Sequence, residues 1–198
     1  MKKILLYTVI LIAVFGMSGC SGAIKNMKPA PKGAVIEKPD EEKAQVVFMR
    51  PQSMGYVIQS SVFDIDGDTE KIVGIVPAKA KVAYETTPGD HIFMVVGESG
   101  DFMYATLEAG KTYYVLVRPR MGVWKARFSL DPVHKGEVTE EKLQAWLHDC
   151  RLIEVSDATN RWAEKNSASI DEIEEEYYKD WLEKSKADRP KLEAVDGR

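Results

Sequence analysis

The sequence predicts a mainly β fold, α+β overall: an antiparallel β-sandwich of about seven to eight strands with C-terminal helices packed on it. Three observations carry that expectation. From Ala44 to Val133 short apolar runs rich in β-branched and aromatic residues recur, at roughly eight- to twelve-residue spacing. Turn formers separate them, as in "RPQSMG", "DGD", "TPGDH", "ESGD", "EAGK" and "RPRMG". Beyond Thr139 the apolar period lengthens from two to about 3.6, the repeat of a helix.

The elements follow in chain order. Lys2 and Lys3 precede an apolar run from Ile4 to Phe15. About twelve residues are too few to span a bilayer as a helix, which takes ~20. A positive head, a short apolar run and small residues before a cleavage point make a secretory signal peptide over residues 1–19. Ser18-Gly19-Cys20 then resembles the lipobox of bacterial lipoproteins, with Met17 where that family most often has Leu. The resemblance implies cleavage after Gly19, diacylglycerol on the Cys20 sulfur and acylation of its new amine. Ser21, rather than Asp, implies release to the outer membrane under the sorting rule of many Gram-negative bacteria. A plain secreted chain with a free or disulfide-bonded Cys20 is the alternative. Two or more acyl chains make membrane attachment durable, whereas one is marginal.

Residues 20–43 read as a lipidated tether. Pro29, Pro31, Pro39, Gly22 and Gly33 interrupt regular structure, and charges of both signs keep the stretch solvated. A Pro-rich ligand motif is the other reading. Strands are expected at 45–50, 56–65, 71–76, 81–86, 91–96, 102–107, 112–118 and 123–130, giving a β-sandwich domain over 44–133. The last does not alternate cleanly and reads as an edge. Pro51 and Pro119 at strand ends also suggest edges, since proline cannot donate to a ladder. "VVFMRP", "DIDGD", "IVGIVP", "TPGDHIF" and "LEAGKTYYVLV" are similar, in order and spacing, to a family of bacterial envelope lipoprotein domains of unknown function. The likeness covers about residues 44–118. It implies a small β-sandwich in the cell envelope and brings no catalytic residues.

Residues 134–198 read as a helical extension. Thr139 precedes "EEKLQAWLHDC", where Leu143, Trp146, Leu147 and Cys150 share one face. "RLIEV" (151–155) is a candidate extra strand. Ser156 precedes a second helical segment. Ser169 with Glu172 has the spacing of a capping box for a third, whose stripe comprises Ile170, Ile173, Tyr177, Tyr178, Trp181 and Leu182. That stripe either packs on the sheets or docks a partner. A membrane-lying helix fits less well, because Glu174, Glu175 and Glu176 occupy the polar face where Lys and Arg are expected.

The formal charge is -4, from 27 basic and 31 acidic residues. Glu137–Arg198 holds 17 acidic and 10 basic residues, so the negative charge is concentrated there. No basic stripe of the kind that grips phosphates is present, which argues against nucleic acid as a partner. With Cys20 acylated, Cys150 has no partner for an intramolecular disulfide. It reads as a small buried hydrophobe at a helix end, with a reactive or intermolecular thiol as the alternative.

Asp64, Asp66 and Asp68 mimic the start of a calcium loop, but Thr69 and Ile75 stand where Gly and Glu are required. Asp66-Gly67 instead predicts a hairpin turn. His91, His134 and His148 have no ligand spacing, so no metal, cofactor or catalytic residue is assigned. Aromatics beside the turns, in "GDFMYATL" and "GKTYYVLV", are either core or sugar-stacking platforms. The expected function is a lipid-anchored, non-catalytic protein of the bacterial cell envelope, with its domain in the periplasm. It would bind or support another envelope component: the membrane lipid through Cys20, and an envelope protein or glycan. The alternatives are a carbohydrate-binding module and, third, a hydrolase whose site is assembled in space around His91 or His134 with an adjacent Ser or Cys.

Overall fold

The computed structural model describes residues 24–66, 70–120 and 127–198. The leader, Cys20, Gly67 of the expected hairpin turn, Asp68, Thr69 and the first half of the expected strand 123–130 lie outside those residues. In chain order the elements are β1 (Lys28–Pro29), β2 (Ala44–Arg50), β3 (Ser60–Asp64), β4 (Lys71–Val76), β5 (Ala80–Thr86) and β6 (Gly89–Val96). They continue with β7 (Gly100–Leu107), β8 (Thr112–Arg120), β9 (Arg127–Pro132), α1 (Glu140–Asp149), β10 (Arg151–Glu154), α2 (Asp157–Glu183) and β11 (Lys191–Leu192).

The fold is α+β, with two sheets and two C-terminal helices. The first sheet has the order β1-β10-β5-β2-β8-β9 and the second β11-β7-β6-β3-β4. Most pairs are antiparallel, as expected, but β2 runs parallel to β8, β10 to β5 and β11 to β7. The all-antiparallel expectation fails there because those partners are distant in sequence. A hairpin turn forces antiparallel pairing, and these strands share no hairpin.

The main core lies between the sheets. Phe48, Val82 and Val115 from the first meet Val62, Phe93 and Met103 from the second. Phe48 and Phe93 pack edge to face at 5.1 Å. β9 is an edge strand, as read from its imperfect alternation. Pro51 marks no edge: β2 is central, and Pro51 lies just past it, where the chain leaves the sheet and no ladder bond is lost. Pro119 sits in the penultimate strand opposite Phe128.

The C-terminal stretch supplies strands to both sheets. β10, the "RLIEV" strand, joins the first beside β5, and β11 joins the second beside β7. The backbone of Arg198 exchanges two hydrogen bonds with Thr112, at 2.9 and 3.0 Å. Helix α1 begins where expected, with Lys142 N–H donating to Thr139 Oγ1 at 3.3 Å. Leu143 and Cys150 pack with Met49, Leu116 and Val133 in a satellite core. The second and third expected helical segments are a single helix, α2, and Ser169 is an exposed residue in its middle. Ser169 caps nothing because no Gly or Pro in "NSAS" stops the first segment from propagating into the second. The N-cap is Ser156, whose N–H donates to Thr159 Oγ1 at 2.9 Å. The stripe of α2 covers the outer face of the second sheet, with Ile170 and Trp181 buried against Phe63, Met94 and Phe102. Apart from Leu182, which is 42% exposed at the edge of the stripe, it is therefore occupied by this chain's own sheet.

Part of the stretch read as a solvated tether is held to the body. Met27 is buried between β4 and β5, and its Sδ accepts from Ile75 N–H at 3.4 Å. The Asn26 carbonyl accepts from the Thr159 hydroxyl. β1 pairs with β10, and Ala30 N–H donates to Leu152 O at 3.1 Å.

Candidate functional site

The site begins with the last residue of an otherwise apolar strand. β2 reads "AQVVFMR", and all of it is buried, including Arg50 at 0% exposure. A guanidinium carries five donors in a planar fork and cannot be left dry without acceptors. Here backbone carbonyls of the following loop serve both Nη atoms, while the buried Nε has no hydrogen-bond partner. Arg50 Nη1 donates to Ile58 O, and Nη2 to Met54 O and Gly55 O, each at 2.8 Å. The guanidinium also lies 4.9 Å from the centre of the Phe128 ring. Burial pushes its pKa down to about 10.

This clamp fixes a protruding loop. Gly55 has φ +62°, and a Cβ there would come within 3.3 Å of Arg50 Nη2. Ile58 N–H closes the turn onto Gly55 O at 2.9 Å. The side chains that result face solvent: Met54 is 55% exposed, Tyr56 52% and Val57 74%, with Ile58 beside them. Residues 51–60 carry no charge. By its apolar residues "YVI" should start the strand expected at 56–65. It does not, because Arg50 takes the Ile58 carbonyl and those of Met54 and Gly55 before it, and the strand begins only at Ser60. The signals in the sequence were an Arg ending a buried run and ten uncharged residues after it.

The calcium-like stretch is used differently. Asp64 is buried and receives Tyr84 Oη–H at 3.0 Å from the opposite sheet. His91 Nδ1 lies 3.0 Å from Asp64 Oδ2, and His91 Nε2 lies 2.9 Å from Thr87 O. Both nitrogens face acceptors, so the imidazolium satisfies the site and a neutral ring does not. Burial alone would lower the His91 pKa, but the hydrogen bonds to Asp64 and Thr87 and the charges of Asp64 and Asp66 outweigh it and raise it. Asp64 is thus a strap between the sheets. Among the described residues no cluster of His, Cys, Asp or Glu suits a metal ion.

His134 Nδ1 pairs with Asp196 at 2.9 Å, and Asp196 also accepts from Lys135 N–H and Glu193 N–H. Burial would raise the Asp196 pKa; those backbone bonds and His134 lower it. The partners of His91 and His134 are carboxylates and a carbonyl, not the Ser or Cys of a hydrolase arrangement. Cys150 is buried, and burial lifts its thiol to about 11, beyond easy reactivity. The aromatics beside the turns are mostly internal: Phe102 and Tyr113 are buried, and Tyr104 packs on Trp181 at 4.7 Å. Half-buried Tyr114 lines a cleft of about 710 Å³, but Arg198 sits 5.5 Å above its ring, where a sugar would stack. Among the described residues no helix is long and apolar enough to cross a membrane. The chain matches no protein-family model and no curated protein. The likeness to envelope lipoproteins therefore rests on the residues quoted above.

Proposed function

We propose that this chain is a lipid-anchored, non-catalytic envelope protein, built on a β-sandwich framework, that docks a protein partner through the loop Met54–Ile58. Anchoring rests on the lipobox-like Ser18-Gly19-Cys20 and the apolar run before it. Docking rests on one observation: a buried guanidinium is spent on displaying four apolar side chains in a fixed shape. Burying a charge is costly, and preorganised apolar anchors reduce the entropy lost on binding. The loop carries no charge, so the complementary surface is an uncharged apolar cleft. Tyr and Met suit such a cleft, one as a rigid anchor and the other as an adaptable filler.

The experiment is in-cell crosslinking from a photoreactive side chain at Val57 of the anchored full-length protein. One protein should be captured reproducibly, and Tyr56→Asp should abolish its capture without changing the abundance of the anchored chain. Capture that ignores Tyr56→Asp counts against the loop as the contact. Crosslinks to glycan alone would favour the carbohydrate-binding alternative, for which exposed Tyr56 is the available stacking face.

A further inference from the structure

We infer that the body does not swing freely from its anchor but lies on the leaflet by one corner, with loop 54–58 directed away from the lipid. The inference rests on the reading of Cys20 as the acylated residue. The corner comprises residues 24–28 and the first turns of α2.

The argument starts from where the chain becomes fixed. Met27 is locked into the core, Asn26 is bonded to Thr159, and Ile24 is already half-buried against the core. Only residues 21–23 separate Ile24 from Cys20. A fully extended chain over that span reaches roughly 14 Å from Cα to Cα. That is far shorter than the 24-residue spacer the Pro and Gly content suggests. The acyl chains must lie in the bilayer, so the corner around Ile24 is held close to the headgroups.

The charge distribution agrees. At the corner itself, residues 24–28 hold Lys25 and no acidic residue, which suits an anionic headgroup surface, while Lys28 is paired with Glu154 at 2.9 Å. The first half of α2, beside this corner, is balanced. Its second half, 170–183, carries seven acidic residues and one lysine and is carried away along a helix of 27 residues. At 1.5 Å per residue that helix is roughly 40 Å long.

The sheet register places the loop at the other end. Arg50 is level with Ala80, and Ala80 with Arg151. Asn26 lies beside Ser156 and Thr159, five residues past Arg151. At ~3.3 Å per strand residue the separation is roughly 16 Å, and the loop projects beyond Arg50. A partner that meets Tyr56 and Val57 therefore approaches from the side away from the lipid.

Energy transfer tests the pose. The full chain, made and anchored in cells and carrying Cys150→Ala, is labelled with a donor at either Asn160→Cys or Val57→Cys. It is reconstituted in phosphatidylethanolamine–phosphatidylglycerol vesicles containing a headgroup-labelled acceptor lipid. Transfer from position 160 should exceed that from position 57 several-fold. Inserting an approximately twenty-residue Gly-Ser spacer before Ile24, with an r.m.s. reach of roughly 25 Å, should erase most of the difference. Equal transfer without the spacer overturns the pose while leaving the anchor intact. A chain that fails to float with vesicles, or a Cys20 peptide without lipid mass, overturns the anchor and the pose together.

Discussion

Arg50 and His91 are both buried cations, and each is held by acceptors that a substitute cannot match. A lysine at 50 would bring a point charge in place of a fork. It could not serve Met54 O, Gly55 O and Ile58 O together. Charge-assisted hydrogen bonds are worth about 1.5–3 kcal/mol each, so Arg50→Lys should cost about 3 kcal/mol net of the relieved desolvation. Urea unfolding measures the cost, and hydrogen exchange should rise at residues 54–58. Gly55→Ala should loosen the same loop by about 1 kcal/mol, because a side chain strains the positive φ and crowds Arg50. His91→Phe leaves Asp64 without its imidazolium and should cost roughly 3 kcal/mol at pH 6. The His91 pKa is raised on folding, so that stabilisation is complete below the unfolded value near 6.5. It is lost as pH rises through the folded value, and the deficit of His91→Phe should shrink over the same rise. Of the two roles only that of Arg50 leaves a trace in the sequence, an Arg closing an apolar run before ten uncharged residues. An Arg at a strand end and an Asp before a turn announce solvent, and only the folded register brings Thr87, Tyr84 and His91 around Asp64.

Helix α2 shows what periodicity reveals and what it hides. The stripe Ile170, Ile173, Tyr177, Tyr178, Trp181 was readable because helical spacing puts those residues on one face. Its target was not, since nothing local says that Phe102 and Tyr104 will pack on Trp181, at 5.7 and 4.7 Å. The start after Ser156 is where the sequence puts it, but no second start exists at Ser169, because a capping sequence describes what a helix can do at an end and nothing in "NSAS" ends the helix there. The same logic explains strand 56–65, which loses its first residues to a side chain from another element. Gly100 marks the close approach of β7 to α2: a Cβ there would lie 3.2 Å from Ile173. Trp181 is 1% exposed and central to this contact. Trp181→Ala should cost about 3–5 kcal/mol. Hydrogen exchange should localise the loss to residues 170–183, with β2 and β8 still protected. Uniform loss of protection would mean that α2 and the sheets unfold as one unit.

At the scale of the whole molecule, two titrating groups push stability in one direction. Glu70, just before β4, has its pKa lifted to about 8 by burial first, then by its hydrogen bond with Glu174 and by the charges of Glu174 and Asp171. A carboxyl whose pKa rises on folding makes the native state bind more protons than the unfolded one. Its contribution is present below the unfolded pKa near 4.5 and disappears as pH rises through the folded value. His91 acts in the same sense over a window that begins higher. The strand framework that holds these groups was largely visible in the spacing of turns and apolar runs. The pairing of Glu70 with α2 was not, because it depends on a helix crossing the far face of the second sheet. The denaturation midpoint should therefore fall steadily between pH 5 and pH 9, although an acidic chain with ordinary carboxylates would be flat there. Glu70→Gln keeps the shape and a hydrogen-bond donor but removes the proton equilibrium. It should flatten the profile between pH 5 and about 6.5, lessen its slope from there to about pH 8, and leave the His91 step above pH 6.5 in place. A profile unchanged by Glu70→Gln would mean that the carboxyl is ionised in the native state and that the contact of α2 with the β3–β4 connection is held by packing alone.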